Sequence, residues 1–186
     1  GGFDTDGEGL ATVECWCQMS NIWRLCASMA QPRYGFCAGV VGDSLVVAGG
    51  RGDGRCLASA EAFSPATGWT SLPPMPHDAF CATAVVLGGR LYVAGGSSCD
   101  KLQVWDGTAR TPKADLPAGS REAASVAVDG KMWVIGGVVQ GEFEGTASVI
   151  IYDPDADSWT TGVPLPSPRC DCRAVALGGV VHVIGG

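Results

Sequence analysis

A short hairpin pattern that ends in Gly-Gly recurs along this chain at nearly even intervals, and it constrains the fold more than any other feature. The segment 85–96 reads VVLGGRLYVAGG, and three further segments repeat its form: VVGDSLVVAGG, VAVDGKMWVIGG and VALGGVVHVIGG. Glycine pairs at 1–2, 49–50, 95–96, 136–137 and 185–186 are spaced by 48, 46, 41 and 49 residues. Self-similarity at a period of roughly 20–50 residues is typical of repeat architectures.

The two glycine pairs of one hairpin segment have different roles. Gly88-Gly89 separates two apolar runs by two residues, which predicts a primed turn with positive φ at both positions. The closing pair, Gly95-Gly96, has no turn to form, although glycine is the costliest residue to order. We expect this pair to end an inner strand where the neighbouring unit and its Trp or Tyr approach the backbone closely.

Aromatic residues mark the second half of each unit. Trp23, Trp69 and Trp159 each precede the next Gly-Gly by 26 residues, and in the third unit the place of the Trp falls near Arg110. We predict four short strands per unit, named a to d, in which a and b form the hairpin and d begins at the Trp. A sheet of about 45 residues cannot bury both faces alone, so it must pack against copies of itself.

The order of these landmarks resembles the kelch repeat. Gly-Gly is followed by an aromatic with Asp, as in YDP at 152–154 and VWD at 104–106, then by Trp, and then by a Pro-rich turn and Arg. The turn reads LPPMP at 72–76, LPAGSR at 116–121 and PLPSPR at 164–169. Arg33, Arg121 and Arg169 take the post-turn arginine position, where the second unit has Pro76-His77-Asp78.

The resemblance implies an all-β fold, a kelch-type β-propeller. The chain holds about four blade-equivalents of four antiparallel strands: three full blades and two half-blades. We place the half-blades at 1–30 and 167–186 and the blades at about 31–76, 77–118 and 119–166. In one alternative the halves pair into a fourth blade. A ring of four is possible, since propellers typically have about four to eight blades, but the resemblance implies more, and we favour a fragment of a ring of about five to seven blades.

Composition narrows the classes of partner and the compartment. A net charge of −7 and the lack of a basic run argue against a nucleic-acid partner. The sequence has no apolar segment of about 20 residues, so no membrane span is predicted. The start, GGFDTDGEG, is no signal peptide, and we expect a chain cut from a longer one. Nine cysteines, an odd number, favour reduced thiols and a cytoplasmic or nuclear protein. The oligomeric state stays open.

We predict no catalytic residue, metal or cofactor. The pairs Cys15/Cys17 and Cys170/Cys172 form a zinc site only if the ends of the chain meet, and buried thiols are the preferred interpretation. His182 matches a strand-b packing position, and the tyrosines and histidines are too few for a copper radical oxidase of the galactose oxidase type. Arg51-Gly52-Asp53 spells RGD, which we attribute to chance.

Recognition is therefore assigned to the loop face, the side of a propeller on which the b–c and d–a loops emerge. Arginine suits an acidic or phosphorylated peptide because its planar fork binds carboxylates and phosphates through two hydrogen bonds. In the alternative, the post-turn arginines tie blades together by bonding loop carbonyls. The candidate residues are Arg33, Arg51, Asp53, Arg55, His77, Asp78, Lys101, Arg121, Glu142, Phe143, Glu144 and Arg169.

The resemblance implies a module that binds a protein or peptide partner. Kelch domains often act as substrate receptors of cullin-type ubiquitin ligases, joined to a BTB or F-box module, and the sequence contains neither module. Two alternatives remain open: a kelch-type enzyme such as a sugar mutarotase, and a structural domain that binds actin or another filament.

Overall fold

Every regular element in the described part of the chain is a β-strand. The computed structural model describes residues 1–97, 99–106 and 110–186. A search of these residues finds no helix with the length and apolar character needed to span a membrane. The predicted all-β class is confirmed.

The strands form three four-stranded antiparallel sheets, which we call blades, between two terminal hairpins. The N-terminal hairpin consists of β1 (Val13–Cys17) and β2 (Ile22–Cys26). Blade one consists of β3 (Cys37–Val41), β4 (Ser44–Ala48), β7 (Ala60–Ser64) and β8 (Gly68–Leu72), with β5 (Arg51–Gly52) and β6 (Arg55–Cys56) in its b–c loop. Blade two consists of β9 (Thr83–Leu87), β10 (Arg90–Ala94), β11 (Leu102–Trp105) and β12 (Arg110–Pro112).

The remaining strands repeat the same order. Blade three consists of β14 (Ala124–Val128), β15 (Lys131–Ile135), β17 (Val149–Asp153) and β18 (Ser158–Thr161). The short strands β13 (Ser120–Arg121) and β16 (Val138–Val139) pair with each other beside it. The C-terminal hairpin consists of β19 (Arg173–Leu177) and β20 (Val180–Ile184).

The turn between strands a and b of blade two has the predicted geometry. In blade two, Leu87 pairs with Arg90 across a two-residue turn, and Gly88 and Gly89 have φ angles of 54° and 72°. Both angles lie in the left-handed region, which glycine adopts without a steric penalty. The prediction for the place of the missing Trp is also confirmed at the level of backbone pairing, because Arg110 pairs with Trp105.

The blades pack face to face around an axis lined by strand a of each blade, so that β3, β9, β14 and β19 contact one another in order. Apolar side chains fill the space between successive sheets. Val46 and Ala48 of blade one pack against Leu91 and Val93 of blade two in one such cluster. Burying a large aliphatic side chain stabilises a fold by about 1.5–3 kcal/mol, so these interfaces hold the blades together.

Tryptophans of strand d connect neighbouring sheets. The Trp69 indole N–H donates to the carbonyl of Ala27 at 2.7 Å, and the Trp159 indole N–H donates to the carbonyl of Ala114 at 2.8 Å. Each acceptor lies just after the last strand of the preceding sheet. Trp23, on the N-terminal hairpin, is 69% exposed.

The two terminal hairpins do not pair with each other within the described residues, and the number of blades in a complete ring stays a prediction.

The closing pair Gly95-Gly96 makes contact with backbone and not with a Trp or Tyr ring, which corrects the expectation from sequence. A Cβ built on Gly95 would overlap the Ser120 carbonyl oxygen, and one on Gly49 would overlap that of Ala79. Both carbonyl groups belong to a d–a loop that leads into the next sheet. The Gly96 N–H donates to the Ser120 carbonyl at 2.9 Å. Glycine is required because two backbones meet there.

We predict that Gly95→Ala lowers the free energy of unfolding by about 2–5 kcal/mol, because the new methyl group overlaps the Ser120 carbonyl and φ is +70°. Gly88→Ala is the matched control. Its φ of +54° imposes similar backbone strain, but nothing lies within 4 Å of the added Cβ, so the expected loss is about 1–2 kcal/mol. Urea unfolding of both variants measures the difference. Equal losses would contradict the proposed role of the closing pair.

Candidate partner-binding face

The loop face is the end of the propeller at which strand a begins and strand b ends. One backbone hydrogen bond recurs there between the second glycine of a closing pair and the d–a loop of the following sheet. The acceptors are the carbonyls of Arg33, Ala79, Ser120 and Arg169, at 3.0, 2.8, 2.9 and 2.7 Å. These four residues are therefore structurally equivalent, and their side chains differ while their backbones do not.

Arg33 is part of the scaffold, which corrects its assignment to the partner-binding residues. Its side chain is fully buried, and Nη2 lies 2.7 Å from the Glu61 carboxylate. Nη1 donates to the carbonyls of Gly49 at 2.7 Å and Ser59 at 3.2 Å. A partner on the surface cannot reach this guanidinium, so the alternative that it ties the blade together is correct.

Arg121 does not share the position of Arg33 and Arg169, because Ser120 occupies it. Arg121 lies one residue later and is half-buried, with Nε 3.6 Å from the Glu122 carboxylate. Arg169 does share the position of Arg33, and its Nη1 donates to the Gly185 carbonyl at 2.6 Å. Like Arg33, it donates to the carbonyl of a closing glycine, but its side chain is more exposed than that of Arg33.

A row of aromatic rings lies on the loop face at the start of blades one and two. The rings of Phe3 and Tyr34 meet edge to face at 5.6 Å between centroids, and those of Tyr34 and Phe80 meet edge to face at 5.5 Å. The Arg51 guanidinium lies 5.9 Å from the centre of the Phe80 ring. The backbones of Tyr34 and Arg51 also exchange hydrogen bonds at 3.0 and 2.8 Å. We call Phe3, Tyr34, Phe80 and Arg51 the aromatic row.

Arg51 was predicted from the sequence, but the three rings were not. A signal for two of them exists. Tyr34 and Phe80 are separated by 46 residues, which is the spacing of the Gly-Gly pairs at 49–50 and 95–96. They hold equivalent places in successive units, where the third unit has Arg121 and the C-terminal hairpin has Cys170.

The other predicted residues are spread over the loop face. Asp53, Arg55, His77 and Asp78 are exposed. Lys101 is bound within its own blade, 2.6 Å from Asp115 and 3.1 Å from Asp100. The b–c loop of blade three exposes three consecutive residues, Glu142, Phe143 and Glu144, and Phe143 is 93% exposed.

The centre of the face is an open mouth of about 310 Å³ around the propeller axis. Gly35, Cys81, Glu122 and Asp171 follow one another around it, all with φ between 52° and 58°. The N–H groups of Cys81, Glu122 and Asp171 each donate to the preceding member of this series, at 3.0, 2.9 and 2.8 Å. Burial raises the pKa of the Cys81 thiol to about 11, with further contributions from Glu122 and Asp171.

The cysteines do not gather into a metal centre. In the part of the chain that the structure describes, no group of three or more His, Cys, Asp or Glu side chains is arranged to hold a metal ion. All nine cysteines are free thiols. Cys172 is fully buried in the apolar cluster between blade three and the C-terminal hairpin, whereas Cys15 is exposed on the N-terminal hairpin.

Comparison with known proteins agrees with the geometry: the chain is a β-propeller built from repeated four-stranded blades. The kelch motif family model matches residues 32–76 and 120–166. Mouse Kelch-like protein 35 is 29% identical over 179 residues, which cover 89% of this chain and 29% of that protein. Human Kelch-like protein 23 is 29% identical over 197 residues, which cover 100% of this chain and 34% of that protein. The chain belongs to the kelch-repeat proteins.

Two further similarities extend this result. Beta-scruin of Limulus polyphemus is 29% identical over 210 residues, which cover 94% of this chain and 22% of that protein. The solved structure of YjhT superposes with a TM-score of 0.84 at 13% identity, covering 100% of this chain and 72% of that one. The likeness to YjhT shows a shared fold. The chain spans about a third or less of the length of the three curated relatives named here.

We predict that Arg33→Ala lowers the free energy of unfolding by about 3–5 kcal/mol, because it leaves the Glu61 carboxylate buried without its partner. Arg169→Ala is the control at an equivalent position. Its guanidinium is only half-buried, so a loss below about 1 kcal/mol is expected. Denaturant unfolding measures both values, and a small loss at Arg33 would show that the buried pair does not stabilise the blade.

Thiol reactivity offers a second prediction. Hydrogen bonding by Ser20 lowers the pKa of the half-buried Cys17 thiol, whereas burial raises the pKa of the Cys81 thiol to about 11. The thiolate is the reactive form, so at pH 7.5 Cys17 is expected to react with iodoacetamide about 100-fold faster than Cys81 or more. Mass spectrometry over time measures both rates. In urea-unfolded protein the rates should converge, and similar rates in folded protein would refute the prediction.

Proposed function

We propose that the loop face binds another protein and that the aromatic row is its main contact. The row combines large rings with a guanidinium, which is the composition that dominates binding energy at protein interfaces. Its geometry is fixed before any partner arrives, because Tyr34 is hydrogen-bonded to Arg51 through the backbone and its ring contacts Phe3 and Phe80. A surface that needs no reordering loses less conformational entropy on binding.

Charge on the loop face supports a defined orientation for the partner. Arg51 and Arg55 lie on the b–c loop of blade one, whereas Glu142 and Glu144 lie on the b–c loop of blade three. A partner with an acidic or phosphorylated segment over blade one and a basic segment over blade three matches both. Complementary charge of this kind raises the association rate and selects one orientation.

The proposed activity is binding without turnover. The loop face supplies contact area through aromatic and guanidinium groups. By the resemblance to kelch proteins, we further propose that the partner is a substrate presented to a cullin-type ubiquitin ligase in the cytoplasm or nucleus. Because the chain covers 34% of Kelch-like protein 23, this role is proposed for the whole protein and not for the propeller alone.

The test is quantitative affinity capture from cells with the full chain and two variants, followed by binding measurements on the purified partner. Tyr34→Ala combined with Arg51→Ala removes a ring and the guanidinium from the aromatic row. Arg90→Ala is the matched control, since Arg90 is exposed at the a–b turn of blade two on the opposite face. We expect the double variant to weaken binding at least about tenfold.

The control separates the proposal from a general loss of stability. Arg90→Ala should retain the partner, and circular dichroism should show the double variant to be folded. A partner that binds the double variant as tightly as the unaltered chain would exclude the aromatic row as its contact. Co-purification of a cullin with the full-length protein tests the ligase role separately.

A further inference from the structure

The d–a loops and strand c of the three blades can be compared position by position. Arg33 of blade one is replaced by Ala79 in blade two and by Ser120 in blade three, as the recurring backbone hydrogen bond shows. The facing position on strand c holds Glu61, Gln103 and Ile150, which pair with Val47, Val93 and Val134 of strand b.

In blade one, the Arg33–Glu61 pair fills the space between these elements. The Glu61 carboxylate accepts hydrogen bonds from the N–H groups of Ala30 at 2.6 Å and Gln31 at 3.2 Å. The Arg33 guanidinium donates to the carbonyls of Gly49 and Ser59. The pair therefore supplies acceptors for the N–H groups of the d–a loop and donors for the carbonyls of Gly49 and Ser59.

In blade two, a carboxamide bonds the same loop position. The Oε1 atom of Gln103 accepts from the His77 N–H at 3.0 Å, and its Nε2 atom donates to the His77 carbonyl at 3.3 Å. His77 is the equivalent of Gln31. A neutral amide thus forms hydrogen bonds with both the N–H and the carbonyl of the loop backbone and needs no counter-ion.

In blade three, the corresponding space is a cavity of about 210 Å³. Ser120 is too short to fill it, and the Ile150 side chain has no polar atom. The Ser120 hydroxyl reaches the Gly136 carbonyl at 3.5 Å. The residues around the cavity include Ala118, Ser120, Gly136, Ser148, Ile150 and Thr161.

The backbone groups that the other blades satisfy are retained around this cavity. Gly136 and Ser148 are the equivalents of Gly49 and Ser59, whose carbonyls accept from Arg33 in blade one. Ala118 is the equivalent of Gln31 and His77, whose N–H groups donate to a side-chain oxygen in blades one and two. The preceding residue, Pro117, has no N–H, so the equivalent backbone groups at this site are one donor and two acceptors.

We propose that this cavity in blade three binds a primary carboxamide, such as the side chain of a Gln or Asn presented by a partner on the loop face. The amide oxygen accepts from the Ala118 N–H, and the amide NH₂ donates to the Gly136 and Ser148 carbonyls. A charged group is disfavoured, because Ile150 replaces the carboxylate that balances the guanidinium in blade one and an unpaired charge is costly to desolvate. The claim that a partner presents the amide rests on the proposed function, whereas the chemistry of the site does not.

The test uses propionamide as the probe and amide NMR spectra of the ¹⁵N-labelled chain as the readout. We expect saturable shifts centred on Ala118, Ser120 and Gly136. Propionate and propylammonium, which have a similar size but carry a charge, should bind at least about tenfold more weakly, since a site built for hydrogen bonds rejects a group that leaves them unmade. The absence of a saturable shift with propionamide, or binding of either ion as tightly as propionamide, would overturn the proposal.

Two variants test the location. Ser120→Arg with Ile150→Glu rebuilds the pair of blade one inside the cavity, and Ser120→Gln places the chain's own carboxamide there. Each should weaken propionamide binding at least about tenfold. Thr160→Arg is the matched control, since Thr160 is exposed on the same strand as Thr161 and pairs with Ile151. Unchanged binding in either cavity variant that folds would exclude the site.

This experiment requires no partner, so it distinguishes the two proposals. If propionamide binds and the aromatic-row variant still binds the partner with unchanged affinity, the proposed function is refuted and the cavity site stands. Partner binding that depends on the aromatic row, without propionamide binding, would do the reverse.

Discussion

The hydrogen bond from the second glycine of each closing pair to the carbonyl of the following d–a loop is the constraint on which the rest of the structure depends. It occurs at Gly2, Gly50, Gly96 and Gly137, at 2.7–3.0 Å. The bond joins backbone to backbone, so it fixes the approach of successive sheets whatever side chains they carry. The adjoining glycines at 49, 95 and 136 cannot hold a Cβ, because the carbonyl of the next unit occupies that space. Uniform blade geometry and variable loop chemistry follow from the same bond.

A second series of contacts surrounds the axis and carries strain. Cys81, Glu122 and Asp171 adopt positive φ, which costs an L-residue about 1–2 kcal/mol, and Gly35 alone adopts it without that cost. The hydrogen bonds that run from each of these residues to the one before it offset part of this strain. Farther out, Trp69 and Trp159 bond to carbonyls of the preceding sheet. A backbone bond near the axis and an indole bond farther out thus hold blade three to blade two at two radii.

Local patterns predicted the strands, the tight turns and the repeat, because alternating apolar runs and primed turns depend on residues close in sequence. Tertiary features were harder to predict. The burial of Arg33 depends on Glu61, which lies 28 residues away and which no motif marks. Arg121 was matched to Arg33 by its place after the Pro-rich turn, but the third unit is shorter, and counting from the closing glycines selects Ser120. The aromatic row depends on contacts between units, so residues read one at a time do not reveal it.

The fixed backbone also explains how blade three keeps a cavity that a more compliant fold would collapse. Empty volume in a core destabilises by roughly 24 cal/mol per Å³, and the surroundings relax when they can. Here the Gly96 bond to Ser120 and the Gly137 bond to Arg169 hold the two sides of the cavity, and the apolar clusters on both faces of blade three are closely packed. One position of a repeat can therefore lose its filling side chains without a change of architecture. In a fold of this kind, ligand chemistry arises where one blade departs from its neighbours at a position whose backbone all the blades share.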